Sequence, residues 1–313
     1  MEEYVLENEY LRVKFIDIGA TLIELTKKQN ETNYVLHYQD KRNYPDDFYY
    51  FGTVGRIAGR VYPPVYKGRP LDTNEGRVQL HGGKAGLHKK HWFVKRIDAT
   101  SYCLEYVDTE SVYEPMYLKI IYSIEKNKLK VRYIGEALSP TVCNLTNHAY
   151  FNLNKDKTLG IAKHWLKLPK TSLQLVDNEF IPTGKLDDMK DEQAKFDFSR
   201  PKQINEAFEQ GTELSKFCAD GIDLAYVFDQ GEPAEIFLAS EDRKNALRIT
   251  SDQEACVIYT LNKVDRLEKI NNGIWIYKHA GITFEMQRRP NYLHQVKDSL
   301  TKKYRATTVY EVL

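Results

Sequence analysis

The stretch Tyr122–Tyr133, YSIEKNKLKVRY, carries the pattern that decides the fold. Apolar and polar residues alternate on both sides of the polar segment Lys126-Asn127-Lys128. Alternation with a period of two places one face of a strand against a core and the other face in water. Because a short polar break between two such runs is typical of a hairpin, the sequence predicts two antiparallel strands here.

The same pattern recurs along most of the chain. The stretch Leu11–Leu25 alternates in this way and is interrupted by Gly19, which predicts a strand pair with a turn. Further short runs rich in Val, Ile, Thr, Tyr and Phe are Trp92–Asp98, Ser101–Val107, Leu118–Glu125, Leu129–Ala137, Thr141–Asn147, His164–Pro169, Ser172–Val176, Ala234–Ser240, Ala246–Asp252, Cys256–Leu261, Gly281–Gln287 and Thr307–Leu313.

Helical periodicity is scarce, and its best candidates are Pro201–Gln210 and Asn291–Lys302. Many short strands with few helices predict an all-β fold, a large antiparallel β-sandwich with few short helices. We find no Ser/Gly linker and no break in composition, so we expect a single domain over residues 1–313. Chains of this length often fold as one β domain.

Charge and composition exclude several classes of protein. The 313 residues contain 45 Lys+Arg and 44 Asp+Glu, for a net charge of +1, which predicts no nucleic-acid partner and no binding to an anionic membrane. No stretch has the length and apolar character of a membrane span or a secretory signal. The 4 cysteines are far apart, which favours free thiols and a cytoplasmic location.

Metal and cofactor chemistry also find little support. His81, His88 and His91 could supply imidazoles to zinc, but Lys89 and Lys90 are poor neighbours for a divalent cation. No nucleophile elbow, phosphate loop or dinucleotide fingerprint is present. We therefore expect no metal and no cofactor bound through either of these two nucleotide-binding motifs.

Long loops on a rigid β scaffold often carry a binding site. Two stretches lack strand character, Gln39–Pro70 and Thr183–Phe217, and the first is the candidate for a wall of a site. The chain contains 22 Tyr, most of which fit the half-buried faces of a sheet. A few near the first loop, and Tyr150, could cover the apolar face of a polyhydroxylated ligand.

Clusters of polar residues could carry chemistry. The segment 51–60, FGTVGRIAGR, contains Arg56 and Arg60, and the segment 79–83, QLHGG, contains His81. His148 lies within NLTNHAYFNL, residues 144–153. In ITFEMQ, residues 282–287, Glu285 alternates with apolar residues, so its face of the strand is either in solvent or in a polar site.

Taken in order, these segments resemble the aldose 1-epimerase family, the galactose mutarotases, over nearly the whole chain. The motifs that carry the resemblance are GRIAGR at Gly55–Arg60, LHGG at Leu80–Gly83, NHAYFNL at Asn147–Leu153, IPTG at Ile181–Gly184, FDF-x-x-P at Phe196–Pro201, G-x-D at Gly221–Asp223 and E-x-Q at Glu285–Gln287.

The resemblance implies roles for individual residues. Glu285 would be the general base and His148 the general acid, while Arg60, His81 and Asp223, with Arg56 as a second candidate, would bind the sugar. The implied reaction interconverts the α and β anomers of a free hexose such as galactose or glucose by ring opening and reclosure, without a cofactor.

The sequence departs from the family pattern where the family often has an Asn before the arginine and a Gln before the Tyr-Thr of a late strand. Gly59 and Val257 occupy these positions, so the preferred sugar stays open.

Other functions stay open as well. A sugar-phosphate epimerase would need extra cations, which Arg56, Lys67, Arg69 and Arg77 could supply. A non-catalytic sugar-binding module would keep the sandwich without the reaction. A glycosidase is less favoured because it needs two carboxylates. We expect a monomer or a homodimer with a small sugar as substrate.

Overall fold

The computed structural model describes residues 1–208, 213–229 and 234–313, apart from the side chains of 192 and 213. Its strands are β1 (Glu3–Glu7), β2 (Leu11–Ile16), β3 (Thr21–Lys27), β4 (Thr32–Asn33), β5 (Thr53–Val54), β6 (Arg60–Val61), β7 (Val65–Tyr66), β8 (Arg69–Pro70), β9 (Gln79–Leu80), β10 (Phe93–Asp98), β11 (Ser101–Asp108), β12 (Met116–Glu125), β13 (Lys128–Thr141), β14 (Thr146–Asn147), β15 (Tyr150–Phe151), β16 (Trp165–Lys167), β17 (Thr171–Val176), β18 (Pro182–Asp187), β19 (Lys202–Gln203), β20 (Asp223–Phe228), β21 (Ala234–Ala239), β22 (Ala246–Ser251), β23 (Ala255–Tyr259), β24 (Lys269–Ile270), β25 (Ile274–Trp275), β26 (Ile282–Gln287) and β27 (Thr301–Val312).

Helices in the described residues are short. The α-helices are α1 (Glu213–Phe217) and α2 (Tyr292–Gln295), and the 3₁₀ turns are Lys41–Asp46, Gly83–Ala85, Leu87–Lys89, Asp191–Phe196 and Ile204–Ala207.

Antiparallel sheets make up the scaffold. The largest has nine strands in the order β10-β11-β12-β13-β27-β22-β21-β16-β19, a second has six in the order β15-β26-β23-β20-β17-β18, and a third has four in the order β1-β2-β3-β4. The prediction of an all-β antiparallel sandwich with few short helices is thereby confirmed.

The hairpin predicted at Tyr122–Tyr133 is present. Strands β12 and β13 pair with Glu125 opposite Lys128, so the connecting turn is Lys126-Asn127 and Lys128 already belongs to a strand. Tyr122, Ile124, Leu129, Val131 and Tyr133 are all buried, which is the face that the alternation predicts.

The predicted helices were largely wrong. Only the four residues of α2 are α-helical within Asn291–Lys302, and Thr301 and Lys302 already begin β27. Strand β27 pairs with β13 and β22 and buries alternate residues, so cross-strand pairing decides its structure. The described part of Pro201–Gln210 holds β19 and a 3₁₀ turn, while residues 209 and 210 lie outside the described residues.

A continuous apolar core joins the sheets. It takes side chains from Leu6 near one end of the chain to Val312 near the other, and Phe151 of β15 packs against Phe284 of β26 and Tyr310 of β27. On this ground we propose a single domain over residues 1–313. None of the described helices is both long and apolar enough to pass through a membrane.

Candidate active site

A cavity of about 540 Å³ lies against one face of the six-stranded sheet. The loop that holds Asp46–Tyr50 forms part of its wall, within the predicted loop Gln39–Pro70. The structure brings together in this cavity five of the six residues predicted for the site, which are Arg60, His81, His148, Asp223 and Glu285.

Glu285 lies on β26, in the interior of the six-stranded sheet. Its side chain is 2% exposed. Of the two environments that the sequence allowed for this strand face, solvent or a polar site, the structure therefore shows the polar site. The Oε2 atom has no hydrogen-bond partner among the described residues. Burial, reinforced by the nearby charge of Asp223, raises the pKa of Glu285 well above its usual value, because the ionised form is poorly solvated there.

His148 is positioned by the residues beside it in the chain. Asn147 pairs with Thr53, and its side-chain oxygen accepts a hydrogen bond from the Ala149 amide at 2.8 Å. The backbone N–H of His148 donates to the carbonyl of Gly52 at 3.2 Å. These contacts hold the imidazole with Nε2 at 3.4 Å from Oε1 of Glu285, and burial lowers the pKa of His148 to about 4.

The position of His81 depends on the tight backbone path of the glycine that follows it. Gly82 has a φ of 85°, and a Cβ there would collide with the carbonyl oxygen of Gly55, so only glycine fits. The Gly59 N–H donates to Nδ1 of His81 at 3.2 Å, which leaves the hydrogen on Nε2 as a donor. Burial lowers the pKa of His81 well below its usual value, so the ring is neutral.

Arg60 and Asp223 form an ion pair at 3.2 Å at the wall of the cavity. Arg60 also binds Glu75 at 3.1 Å and stacks on the ring of Phe180. Burial alone would lower the pKa of Arg60, but the charges of Asp223 and Glu75 outweigh it and raise that pKa. In the G-x-D motif, a Cβ on Gly221 would collide with the side chain of Asn262, which explains the glycine.

Three of these side chains could also hold a divalent cation. Ligand atoms of His81, His148 and Glu285 lie within 4.8 Å of one another. The three histidines first considered as zinc ligands, His81, His88 and His91, do not come together, because His91 is exposed and faces Asp17 at 3.4 Å. That the protein works without a metal stays a prediction.

Arg56 does not reach the cavity, and its prediction as a sugar-binding residue has to be corrected. The guanidinium is fully buried, at 3.0 Å from Asp108, and also donates to Thr141 and to the carbonyl of Val142. A buried charge needs a partner and hydrogen bonds, and Arg56 has them in the scaffold. The spacing between Arg56 and Arg60 in the sequence therefore did not predict that the two side chains point to different places.

The cations considered for a sugar phosphate do not line the cavity either. Lys67 and Arg69 both bind Glu114, at 3.0 and 3.2 Å, and Arg77 binds Glu179 at 3.1 Å. Arg56, Lys67, Arg69 and Arg77 therefore do not supply a phosphate site in this cavity, whereas Lys84, Lys89 and Lys263 do line it.

Several cavity residues were not predicted by name. The ring of Tyr50 packs against His81, His88 and His148, at centroid distances of 4.8 to 6.0 Å. The aromatic character of the first loop pointed to it without singling it out. Gln174 on β17 also lines the cavity, and no local pattern distinguishes it from a core residue.

The sequence is similar to those of known proteins along almost its whole length. The family model described as aldose 1-epimerase matches residues 2–311. The chain is 28% identical to galactose mutarotase of Sus scrofa over 310 residues, 94% of this chain and 87% of the relative. It is 30% identical to aldose 1-epimerase of Haemophilus influenzae, over 91% and 86% of the two chains. A maltose epimerase of Levilactobacillus brevis is 24% identical over 94% and 88%.

Solved structures agree on the fold. A homologue of GalM/aldose epimerase from C. elegans superposes with a TM-score of 0.88 at 23% identity and covers 100% of this chain and 98% of its own. Galactose 1-epimerase from Lactobacillus acidophilus gives a TM-score of 0.86 at 25% identity, over 99% and 94%.

Proposed function

Since the chain belongs to the aldose 1-epimerase family, and is thus an isomerase-class enzyme, we propose that it is a mutarotase acting on a free hexose such as galactose or glucose. The observation that carries this proposal is the contact between a buried carboxyl and a buried imidazole, Glu285 and His148, at 3.4 Å in the wall of a cavity. A sugar-binding module would have no need of this costly pair.

The reaction requires one base and one acid close together. The C1 hydroxyl loses its proton while the ring oxygen gains one, and the C1–O5 bond breaks to give the open-chain aldehyde. Both oxygens are bonded to C1, so the adjacent Glu285 and His148 can serve them simultaneously. In our proposal Glu285 accepts the hydroxyl proton and His148 protonates the ring oxygen.

After rotation about C1–C2, the carbonyl presents its other face and the roles reverse. His148 takes the proton back from the C5 hydroxyl as its oxygen attacks C1, and Glu285 returns its proton to O1. No atom or electron leaves the sugar, so the balance needs no cofactor.

The pair carries one shared proton in its working state. Burial favours neutral forms, since it raises the pKa of Glu285 and lowers the pKa of His148 to about 4. Transfer of that proton from carboxyl to imidazole gives carboxylate and imidazolium without changing the net charge. The catalytic forms are therefore accessible at neutral pH although each group alone resists ionisation.

Binding of the sugar hydroxyls falls to the remaining polar groups. Arg60, whose Nε has no hydrogen-bond partner in the described part of the chain, and Asp223 can bind adjacent hydroxyls, and Nε2–H of His81 can donate to an oxygen near C1. Gly59 and Val257 leave their part of the wall without polar side chains. Because the family often has Asn and Gln at these two positions, their replacement supports a sugar preference specific to this chain.

A panel of sugars tests the proposal. We expect the purified protein to accelerate the change in optical rotation of freshly dissolved α-galactose or α-glucose above the buffer rate, and to act less well on glucose 6-phosphate. Maltose belongs in the panel because of the maltose epimerase relative. Calorimetric binding of a sugar with no acceleration would instead support the binding module.

A further inference from the structure

One row of side chains crosses the floor of the cavity. Gln174 of β17, Ala225 of β20, Val257 of β23 and Glu285 of β26 are successive cross-strand neighbours, so they point to the same face. All four line the cavity. The two longer polar residues stand at the ends and the two shorter apolar ones between them, with about 14 Å between the outer backbones at three strand spacings.

Gln174 has an unused acceptor at its end of this row. The residue is 2% exposed, and its Nε2 donates to the carbonyl of Pro290 at 3.1 Å and to Oε1 of Gln295 at 2.9 Å. A primary amide has two N–H donors, so these bonds use both and fix its orientation. The carbonyl Oε1 is buried and has no partner within the described residues.

A buried acceptor without a partner is unfavourable and calls for a donor. The neighbours of Gln174 along the row, Ala225 and Val257, have no polar side-chain atom, and nearby Val176 and Pro182 of the lining have none either. A hydroxyl group of a ligand in the cavity can supply the donor. A fully ionised phosphate cannot, because all of its oxygens are acceptors.

We propose that Gln174 is a substrate-binding residue that determines specificity, its carbonyl oxygen accepting a hydrogen bond from a sugar hydroxyl remote from the anomeric carbon. The inference rests on the proposed mutarotase function, which places C1 beside Glu285 at the other end of the row. A sugar ring lying over Ala225 and Val257 then directs a hydroxyl on C3, C4 or C6 towards Gln174.

The test compares wild type, Gln174→Leu and a control, Gln295→Leu, on the preferred hexose and its 3-, 4- and 6-deoxy analogues. For wild type we expect kcat/KM to fall about tenfold when one of these hydroxyls is removed. Gln174→Leu should lose about tenfold on the parent sugar, mainly through KM, and should no longer distinguish that deoxy analogue. Gln295→Leu removes a partner of the amide but leaves the acceptor, so it should keep the discrimination.

Three results would overturn the proposal. The first is a wild type that treats all three deoxy sugars as the parent, which needs no variant to fold. The second is a Gln174→Leu protein, or Gln174→Met where leucine prevents folding, that keeps the wild-type discrimination. The third is equal loss of discrimination in Gln295→Leu, which would assign Gln174 a structural role. A wild type inactive on every sugar would instead refute the mutarotase function itself, and this proposal with it.

Discussion

Glu285 and His148 are both buried at the wall of the cavity, where neither charge is well solvated. A sequence pattern that alternates charge with apolar residues normally indicates a strand face in water. At Glu285 the same pattern instead places a carboxyl out of contact with water, which lowers the stability of the fold. The fold tolerates that cost because its core is large, and the buried carboxyl is available for the proposed chemistry.

The pH profile tests this interpretation at the residue scale. We expect kcat/KM to stay level through neutral pH while the pair holds one proton. It should decline on the acid side only near the pKa of His148, about 4, where a second proton binds, and on the alkaline side only where the raised pKa of Glu285 is passed. Polarimetric rates across pH, with fluorescence to exclude unfolding, measure this.

An optimum confined between the ordinary values of 4.5 for a Glu and 6.5 for a His would contradict the prediction. It would mean that the two groups titrate independently in a solvated site. The Glu285→Gln variant provides the control. Its pH profile of kcat/KM should lack the alkaline decline, because that decline is assigned to the Glu285 carboxyl.

At the scale of elements, two arginines of the segment that runs from β5 into β6 point to different places. Arg60 faces the cavity and Arg56 faces the scaffold, where Asp108 neutralises it. We expect Arg56→Met to reduce the free energy of unfolding by about 3–5 kcal/mol, because it leaves the Asp108 carboxylate buried without a partner. Urea unfolding of the variant measures the change.

Two comparisons make that prediction specific. The double variant Arg56→Met/Asp108→Leu should recover much of the loss, since no charge is left behind. Arg69→Met, which removes a largely exposed cation paired with Glu114, should change stability by about 0–1 kcal/mol. A folded and stable Arg56→Met protein with a raised KM would contradict the structural role and restore Arg56 to the sugar site.

Strands with strict alternation could be predicted from the sequence, and β12 and β13 are the clearest case. Strand β27 was missed in part, because its first residues, Thr301-Lys302-Lys303, read as polar. Their structure comes from pairing with β13, which is over 150 residues away in the chain in every pair, and local periodicity carries no such information. Gln174 was not predicted as a site residue for the same reason, because its place in the site depends on strand order.

At the scale of the whole molecule, the site residues come from segments distant in sequence. Arg60, His81, His148, Asp223 and Glu285 meet in one cavity because the sheet order sets strands β20, β23 and β26 side by side and the early loops fold over them. Their identities followed from a resemblance to a family, while their meeting could be established only by the structure. The exclusion of Arg56 needed the structure as well.

The central claim is that Glu285 and His148 act together as base and acid on a free hexose. The most direct measurement is the polarimetric rate of α-galactose and α-glucose mutarotation for wild type, Glu285→Gln, His148→Ala and the double variant, each checked for folding by circular dichroism. We expect each single change to lower kcat by about 10²–10⁴ and the double variant to be scarcely worse, because the two groups act as a unit. A folded Glu285→Gln protein that keeps the wild-type rate would contradict it.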